Sequence, residues 1–161
     1  MRFSGLALVA TMVALGACGG GGEQKAAADA SQAAATPAPA AGGAAMAAMA
    51  ATGKTHEIKM VGDEKGYRFE PATLTIKVGD AVKFTVISAQ PHNIAFNAVP
   101  PESKAQLQAN MPEAMGDMMG KMLMNANEAY TISFAGVKPG KYEFNCTPHL
   151  ANNMKGTITV Q

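Results

Sequence analysis

Residues 73–86, with the sequence TLTIKVGDAVKFTV, decide the fold class of this chain. Apolar and polar side chains alternate on both sides of the pair Gly79-Asp80. The apolar positions are Leu74, Ile76, Val78, Val82, Phe84 and Val86. A period of two residues is typical of a strand with one buried and one exposed face, and Gly-Asp between two such runs indicates a turn. We therefore predict two adjoining strands that belong to antiparallel sheets with one face in water.

Strand signals continue through the C-terminal two thirds of the chain. They cover residues 55–61, 93–96, 130–134, 141–146 and 156–160. Seven short segments separated by turn signals, of which Lys138-Pro139-Gly140 is one, favour a β-sandwich. We therefore predict an all-β domain over residues 54–161, with about seven to eight strands.

Composition narrows the possible functions. The 161 residues include 13 basic and 12 acidic side chains, so the formal net charge is +1, together with two cysteines and three histidines. A near-neutral chain lacks the basic surface that binds nucleic acid, and we expect no nucleic-acid partner. Three histidines are too few for several independent metal centres.

The N-terminus has the features of an export signal. Arg2 precedes an apolar run over residues 6–15 that is too short to cross a bilayer. The run ends in Leu15-Gly16-Ala17-Cys18, which resembles the bacterial lipoprotein signal, in which the cysteine is acylated and becomes the first mature residue. We predict a signal peptide over residues 1–17 and a lipid on Cys18 that anchors the protein to a membrane. An ordinary secretory leader with a chance cysteine is the alternative.

Residues 18–53 form a low-complexity segment between this cysteine and the domain. Alanine, glycine and other small or polar residues dominate it, and Pro37 and Pro39 would interrupt a helix. No part of it can bury a core. We predict a flexible tether that holds the domain, residues 54–161, in the periplasm of a bacterial cell envelope.

One part of the domain departs from the strand pattern. Residues 101–124 show no alternation, contain good helix formers, and include Pro112, which suits the first position of a second helix. Methionine stands at six positions, Met111, Met115, Met118, Met119, Met122 and Met124. We predict a helical methionine-rich insertion whose 111, 115, 118 and 122 side chains pack on the sandwich along one helical face.

Four side chains can supply donors to one metal ion. Cys146 and His149 are three residues apart, Met154 follows five residues later, and His92 adds a second imidazole. Two imidazoles, one thiolate and a weakly bound thioether are the ligand set of a blue copper site. Structural zinc prefers four strong ligands without methionine, and iron–sulfur clusters need several cysteines. A nucleophilic Cys–His pair would need neither the second histidine nor the methionine.

Strand alternation indicates where two of these donors point. Cys146 shares its face with Phe144, and His92 shares its face with Ile94. Both donors should therefore lean into the apolar interior near one end of the sandwich. We predict one type 1 copper ion at that end.

The motifs around these residues resemble the plastocyanin/pseudoazurin branch of the cupredoxins. The matching motifs are Phe69-Glu70-Pro71, Leu74-Thr75-Ile76, Val78-Gly79-Asp80, Pro91-His92-Asn93, Pro139-Gly140-Lys141-Tyr142 and Cys146-Thr147-Pro148-His149. The resemblance implies a Greek-key β-sandwich with four copper ligands near one end, His92, Cys146, His149 and Met154. It also implies that Asn93 hydrogen-bonds to the Cys146-Thr147 segment and stiffens the cysteine ligand.

The chain departs from the family pattern in two places. Plant-type plastocyanins have an aromatic residue immediately before the cysteine ligand, whereas this chain has Asn145, so an electron route through that ring is not expected. The methionine-rich insertion leaves the choice of partner open. Besides packing on the sandwich, it could form a partner-docking surface or an auxiliary Cu(I) site, since thioethers select that ion.

These features predict a monomeric protein, not an enzyme, that shuttles single electrons between redox proteins such as cytochromes or a copper oxidase or reductase. His149 lies between Pro148 and Leu150, and we expect it to emerge through an apolar patch that docks these partners. A protein for copper storage or delivery is the alternative. A copper enzyme would need further histidines, and only His56 remains, which we expect to be a solvated surface residue.

Overall fold

The computed structural model describes residues 46–89 and 91–161. The predicted signal peptide, Cys18 and most of the predicted tether lie outside these residues. The elements are β1 (Thr55–Asp63), β2 (Gly66–Glu70), β3 (Thr73–Ile76), β4 (Ala81–Val86), β5 (Ala95–Ala98), α1 (Pro101–Ala109), β6 (Ala129–Ser133), β7 (Gly140–Asn145), a 3-10 turn (Leu150–Asn152) and β8 (Lys155–Val160). All seven predicted strands are present with small shifts at their ends, and β2 is the strand that the prediction missed.

The strands form two four-stranded sheets that face each other. Their orders are β2-β1-β4-β6 and β3-β8-β7-β5. β1 runs parallel to β4, and β3 runs parallel to β8, whereas the other neighbours are antiparallel. The prediction of antiparallel sheets is therefore wrong for two pairs. Alternation of apolar and polar residues indicates that one face of a strand is buried. The same alternation occurs whether the neighbouring strand is parallel or antiparallel, so it cannot predict the strand direction.

The core lies between the sheets and is built from the apolar positions of the alternating strands. Phe69 of β2, Phe84 of β4 and Phe144 of β7 meet there edge to face, with ring centroids 4.8 to 6.2 Å apart. Such pairs contribute about 0.5–1.5 kcal/mol each beyond the area they bury. Because the rings come from both sheets, they fix how the sheets face each other.

The sandwich has two ends of different character. At the Asn145 end, β4 and β7 finish at Val86 and Asn145, and β8 begins at Lys155, which pairs with Asn145. At the Asp80 end, the turn before β4 lies beside the end of β6, where Ala81 pairs with Ser133. Strands of both sheets therefore meet at the Asn145 end, and the turn at the Asp80 end joins β3 of one sheet to β4 of the other.

The helical insertion is shorter than predicted. The helix α1 covers Pro101–Ala109 with a proline in its first turn, whereas residues 110–124 are not helical and Pro112 begins no helix. The segment instead runs beside β5, where His92 and Leu123 exchange two backbone hydrogen bonds (2.8 and 3.0 Å) and Gly120 N donates to Ile94 O (2.9 Å). The open edge of β5 offers partners to this backbone, and pairing there outweighs local helix propensity.

The six methionines consequently do not form one stripe. Met111 and Met118 are buried in the core, with 4% of each exposed. Met115 and Met124 are 62% and 57% exposed. The predicted packing along a single helical face is therefore wrong, because the segment that carries the methionines consists of turns and isolated bridges and is not a helix.

Residues 47–53, which belong to the predicted tether, lie against the Asp80 end. Thr52 N and Gly53 N both donate to Gly79 O at 2.9 Å, and Met49 N donates to Asn110 Oδ1 at 2.8 Å. The chain therefore reaches the sandwich at the end opposite to Asn145. Among the described residues, no helix is both long and apolar enough to cross a membrane.

Candidate metal centre

Three of the four predicted ligands converge at the Asn145 end. His92 stands between β4 and β5, Cys146 directly follows β7, and His149 lies in the next loop. The distance from Cys146 Sγ is 3.5 Å to His92 Nδ1 and 3.4 Å to His149 Nδ1, and the three atoms lie within 4.8 Å of one another. All three side chains are buried. In the described part of the chain, no other group of three His, Cys, Asp or Glu side chains is arranged to hold a metal.

Met154 closes the loop that begins at Cys146. Cys146 N donates to Met154 O at 3.1 Å, and Met154 N donates to His149 O at 3.2 Å. The Met154 side chain is fully buried, as are those of Ile158 and, nearly, Val160 on the same face of the following strand. The backbone thus ties this methionine to two of the three converging donors.

Hydrogen bonding determines which nitrogen of His92 is free. Its Nε2 lies 2.9 Å from the carbonyl oxygen of Ser88. A carbonyl oxygen can only accept, so Nε2 carries the proton and Nδ1 directs its lone pair towards Cys146 Sγ. Burial lowers the pKa of His92, and burial together with the neighbouring His92 lowers the pKa of His149. Both rings are therefore neutral near pH 7, the state that binds a metal.

Burial shifts the pKa of the Cys146 thiol in the opposite direction from the pKa values of the two histidines. Burial raises the pKa of Cys146, while the backbone N–H groups of Asn93 and His149 act in the other direction. The thiolate is the form that binds metals. A metal at this site would therefore displace the thiol proton.

These donors fit a copper ion. The sulfur of Cys146 lies 3.5 and 3.4 Å from the two Nδ1 atoms, so one metal ion could contact all three donors. Thiolate and imidazole are ligands that suit copper, whereas magnesium and calcium prefer oxygen. The group contains no carboxylate.

Asn93 and Thr147 join the two histidine-bearing segments. Thr147 N donates to Asn93 Oδ1 at 2.8 Å, and Asn93 Nδ2 donates to Thr147 Oγ1 at 3.3 Å. The Thr147 hydroxyl also lies 4.0 Å from Met119 Sδ, so the methionine-rich segment contacts the residue after Cys146. Asn93 is completely buried, which makes its amide a rigid link.

Tyr67 was not singled out by the sequence, although it contacts a predicted ligand. Its ring stacks on His149, with centroids 3.8 Å apart and planes inclined by 14°. It lies on β2, the strand that the prediction missed. The alternation of Tyr67 and Phe69 with Arg68 and Glu70 was the available signal, but it spans only one short strand.

His56 is not the solvated residue that we expected. Its Nε2 lies 2.8 Å from Asp80 Oδ2, and 28% of its side chain is exposed. This pair is at the Asp80 end, away from the converging donors. Strand alternation places His56 on β1 but carries no information about the turn that brings Asp80 beside it.

Comparison with known proteins agrees with this geometry. The family model described as copper binding proteins, plastocyanin/azurin family, matches residues 56–161. Plastocyanin of Nostoc punctiforme is 36% identical over 113 residues, covering 70% of this chain and 78% of that protein, and plastocyanin of Prochlorothrix hollandica is 34% identical over 116 residues, covering 72% and 80%. The structure of oxidized plastocyanin from Dryopteris crassirhizoma matches with a TM-score of 0.50 and 31% identity, covering 66% of this chain and 100% of that one. The chain belongs to the plastocyanin/azurin family of copper-binding proteins and has the cupredoxin fold.

Proposed function

We propose that this protein carries single electrons on one type 1 copper ion bound by His92, Cys146, His149 and Met154. The observation that supports the proposal most is the convergence of two neutral imidazoles and one thiol, all buried, on a point at one end of the sandwich. Copper supplies the chemistry, because it alternates between Cu(II) and Cu(I). The protein is a carrier between redox partners and not an enzyme.

The residues around the donors keep them in place in both oxidation states. Ser88 O holds the His92 ring, Tyr67 stacks on His149, and Asn93 links its own segment to the one that follows Cys146. Ligands that are held beforehand move little when the charge changes, which favours fast transfer. Burial excludes water, and Met154 acts as the weak fourth ligand that tunes the potential.

Partners dock on apolar side chains at the Asn145 end. Ile87, Met124 and Leu150 are 42%, 57% and 45% exposed. Leu150 directly follows His149, Met124 follows Leu123, which pairs with His92, and Ile87 follows the end of β4. With a net charge of +1, the chain has little long-range steering. Small apolar contacts suit a short-lived encounter with a cytochrome or a copper oxidase or reductase.

A lipid on Cys18 would anchor the protein to a membrane that faces the periplasm. The contacts of residues 47–53 with the Asp80 end support this arrangement, because an anchored chain would leave the Asn145 end free for partners. Mass spectrometry of the mature N-terminus should find an acylated cysteine, and Cys18→Ser should move the protein into the soluble fraction. An unmodified N-terminus would contradict the anchor. We expect a monomer in solution, which light scattering would test.

Adding Cu(II) to the purified protein tests the central proposal. We expect one equivalent per chain, an intense thiolate-to-Cu(II) absorption, a small copper hyperfine splitting in the electron paramagnetic resonance spectrum, and reversible reduction. A colourless protein with an ordinary hyperfine splitting would contradict a type 1 site.

Copper storage or delivery is the second candidate. The observation that favours it is the exposure of two thioethers, Met115 and Met124, on the segment beside His92. Such a protein should bind more than one Cu(I) under reducing conditions, since thioethers select that ion. One equivalent of Cu(I) together with reversible cycling would favour the electron carrier.

A further inference from the structure

A serine hydroxyl in the loop after β4 ties that loop to a strand. Ser88 Oγ donates to Gly62 O at 2.8 Å and accepts from Gly62 N at 3.1 Å. Gly62 belongs to β1, where it pairs with Tyr67 of β2. One side chain therefore makes both hydrogen bonds that a neighbouring strand would otherwise make at this position.

The same serine contacts the metal centre through its backbone. Ser88 O accepts the hydrogen bond from His92 Nε2, at 2.9 Å, and this bond leaves Nδ1 free to face Cys146 Sγ. The direction of the imidazole thus depends on the direction of one loop carbonyl. Loops are the mobile parts of most folds, so a carbonyl in a loop needs a further contact to keep its orientation.

Gly62 allows the close approach that this contact requires. A Cβ at position 62 would lie 2.4 Å from Ala89 Cβ and 2.9 Å from Tyr67 Cδ1, both too close for real atoms. Ala89 follows Ser88 directly and has a positive φ of 57°. The loop therefore turns sharply against the bare backbone of the strand, where the Ser88 hydroxyl holds it.

We propose that Ser88 is a positioning residue for the metal centre. Its hydroxyl clamps the loop to Gly62, so that its carbonyl holds the His92 ring in the Nε2–H tautomer with Nδ1 aimed at the metal. The part of this inference that concerns copper rests on the proposed function, whereas the tautomer of His92 can be measured without copper. Removal of such an outer contact typically lowers metal affinity 10- to 100-fold.

The test compares Ser88→Ala with three other variants of the full chain. Ser88→Thr keeps a hydroxyl and should restore the wild-type properties. Ser133→Ala is the matched control, because the Ser133 hydroxyl also bonds to backbone, accepting from Ala135 N at 3.1 Å, but at the Asp80 end. Should Ser88→Ala fail to fold, Ser88→Cys is a milder change with a weak donor and acceptor.

Two measurements are made on each variant. Nitrogen NMR of the copper-free protein reports the tautomer of His92, and competition with a chelator reports the affinity for Cu(II). We expect Ser88→Ala to populate the Nδ1–H tautomer and to bind Cu(II) at least tenfold more weakly, with Ser88→Cys intermediate. Ser133→Ala should change neither the tautomer nor the affinity.

A wild-type tautomer and affinity in Ser88→Ala, or equal changes in Ser133→Ala, would overturn the proposal. Failure of the wild-type protein to form a blue site would instead contradict the proposed function. In that case the tautomer measurement on the copper-free protein still decides whether Ser88 positions His92.

Discussion

The two ends of the sandwich use polar groups in opposite ways. At the Asn145 end, His92, Cys146 and His149 are buried, and their potential ligand atoms lie within 4.8 Å of one another. At the Asp80 end, the Asp80 carboxylate accepts hydrogen bonds from Lys54 N (2.8 Å) and Lys77 N (3.0 Å) and contacts His56. One end keeps its donors available for a metal, whereas the other uses its polar groups to hold the chain together.

This difference between the two ends means that residues for metal binding and residues for stability lie in different places. Donors that face one another contribute little to folding until a metal joins them, while a satisfied buried carboxylate or amide stabilises the native state directly. Changes at the Asn145 end should therefore alter spectra and electron transfer, and changes at the Asp80 end should alter the free energy of unfolding. Five predictions test this separation.

Replacement of the thiol should have the largest effect. Cys146→Ser removes the only thiolate of the converging group, and we expect complete loss of the intense thiolate absorption after addition of Cu(II). The copper-free variant should still unfold cooperatively in urea. If the absorption persisted, the metal would have to lie elsewhere.

At the other end, Asn110→Ala should cause the largest loss of stability. The Asn110 amide donates to Ser133 O and Ala135 O, both at 2.9 Å, and accepts from Met49 N at 2.8 Å. Leaving these groups unpaired should lower the free energy of unfolding by about 3 kcal/mol, measured in urea. The copper spectrum of the folded variant should match the wild type, and a changed spectrum would show that the ends are coupled.

Acid should weaken the Asp80 end in a defined window. Hydrogen bonds from Lys77 N and His56 lower the pKa of Asp80 to about 2, below the value of about 3.9 in an unfolded chain. The stabilisation is thus complete above about pH 4 and is lost as the pH falls towards 2, by about 1–2 kcal/mol. Urea unfolding of copper-free protein across this range should show the loss.

The matched variant is Asp80→Asn, which cannot ionise. Its free energy of unfolding should be lower than that of the wild type at pH 6, and the difference should shrink as the pH falls towards 2. A difference that stays constant with pH would contradict a role for the Asp80 charge.

A charge on the apolar surface at the Asn145 end should slow docking. Leu150→Lys should lower the second-order rate constant of electron transfer to a redox partner about tenfold, or about 1.4 kcal/mol, at an unchanged reduction potential. Val78→Lys is the control, since Val78 is also 45% exposed but lies at the Asp80 end. Equal slowing by both variants would place the docking surface elsewhere.

Loss of the stacked ring should have the smallest effect. Tyr67→Leu keeps an apolar side chain but removes a stacking contact worth about 0.5–1.5 kcal/mol. We expect a two- to tenfold weaker affinity for Cu(II), measured by chelator competition, with intensity of the thiolate absorption retained. An unchanged affinity would mean that the loop alone holds His149.

Much of the metal centre could be predicted because few residue types supply nitrogen or sulfur ligands to a metal ion. With three histidines and one cysteine in the domain, the spacing of Cys146 and His149 left little choice, and His92 was placed by strand alternation. Seven of the strands could also be predicted, because side chains alternate with a period of two wherever one face of a strand is buried. The prediction that Met154 is the fourth ligand stays a prediction.

The features that the sequence did not predict correctly depend on contacts between residues that are distant in sequence. Residues 110–124 have helix formers, yet they pair with the segment from His92 to Phe96 because that edge was open. Tyr67 reaches His149 only because β2 lies over the loop that follows β7. Neither contact has a local signal.

The amino-acid sequence by itself determined the all-β class, the family and the identity of the converging donors, because alternation and donor chemistry are local properties of residues. The tertiary structure decided which strands are parallel, where the methionines lie, and which groups orient each imidazole. Those outcomes depend on hydrogen bonds between segments far apart in the chain, such as the one that ties Ser88 to Gly62. Such contacts form, and stabilise the protein, only when the two sheets have packed against each other.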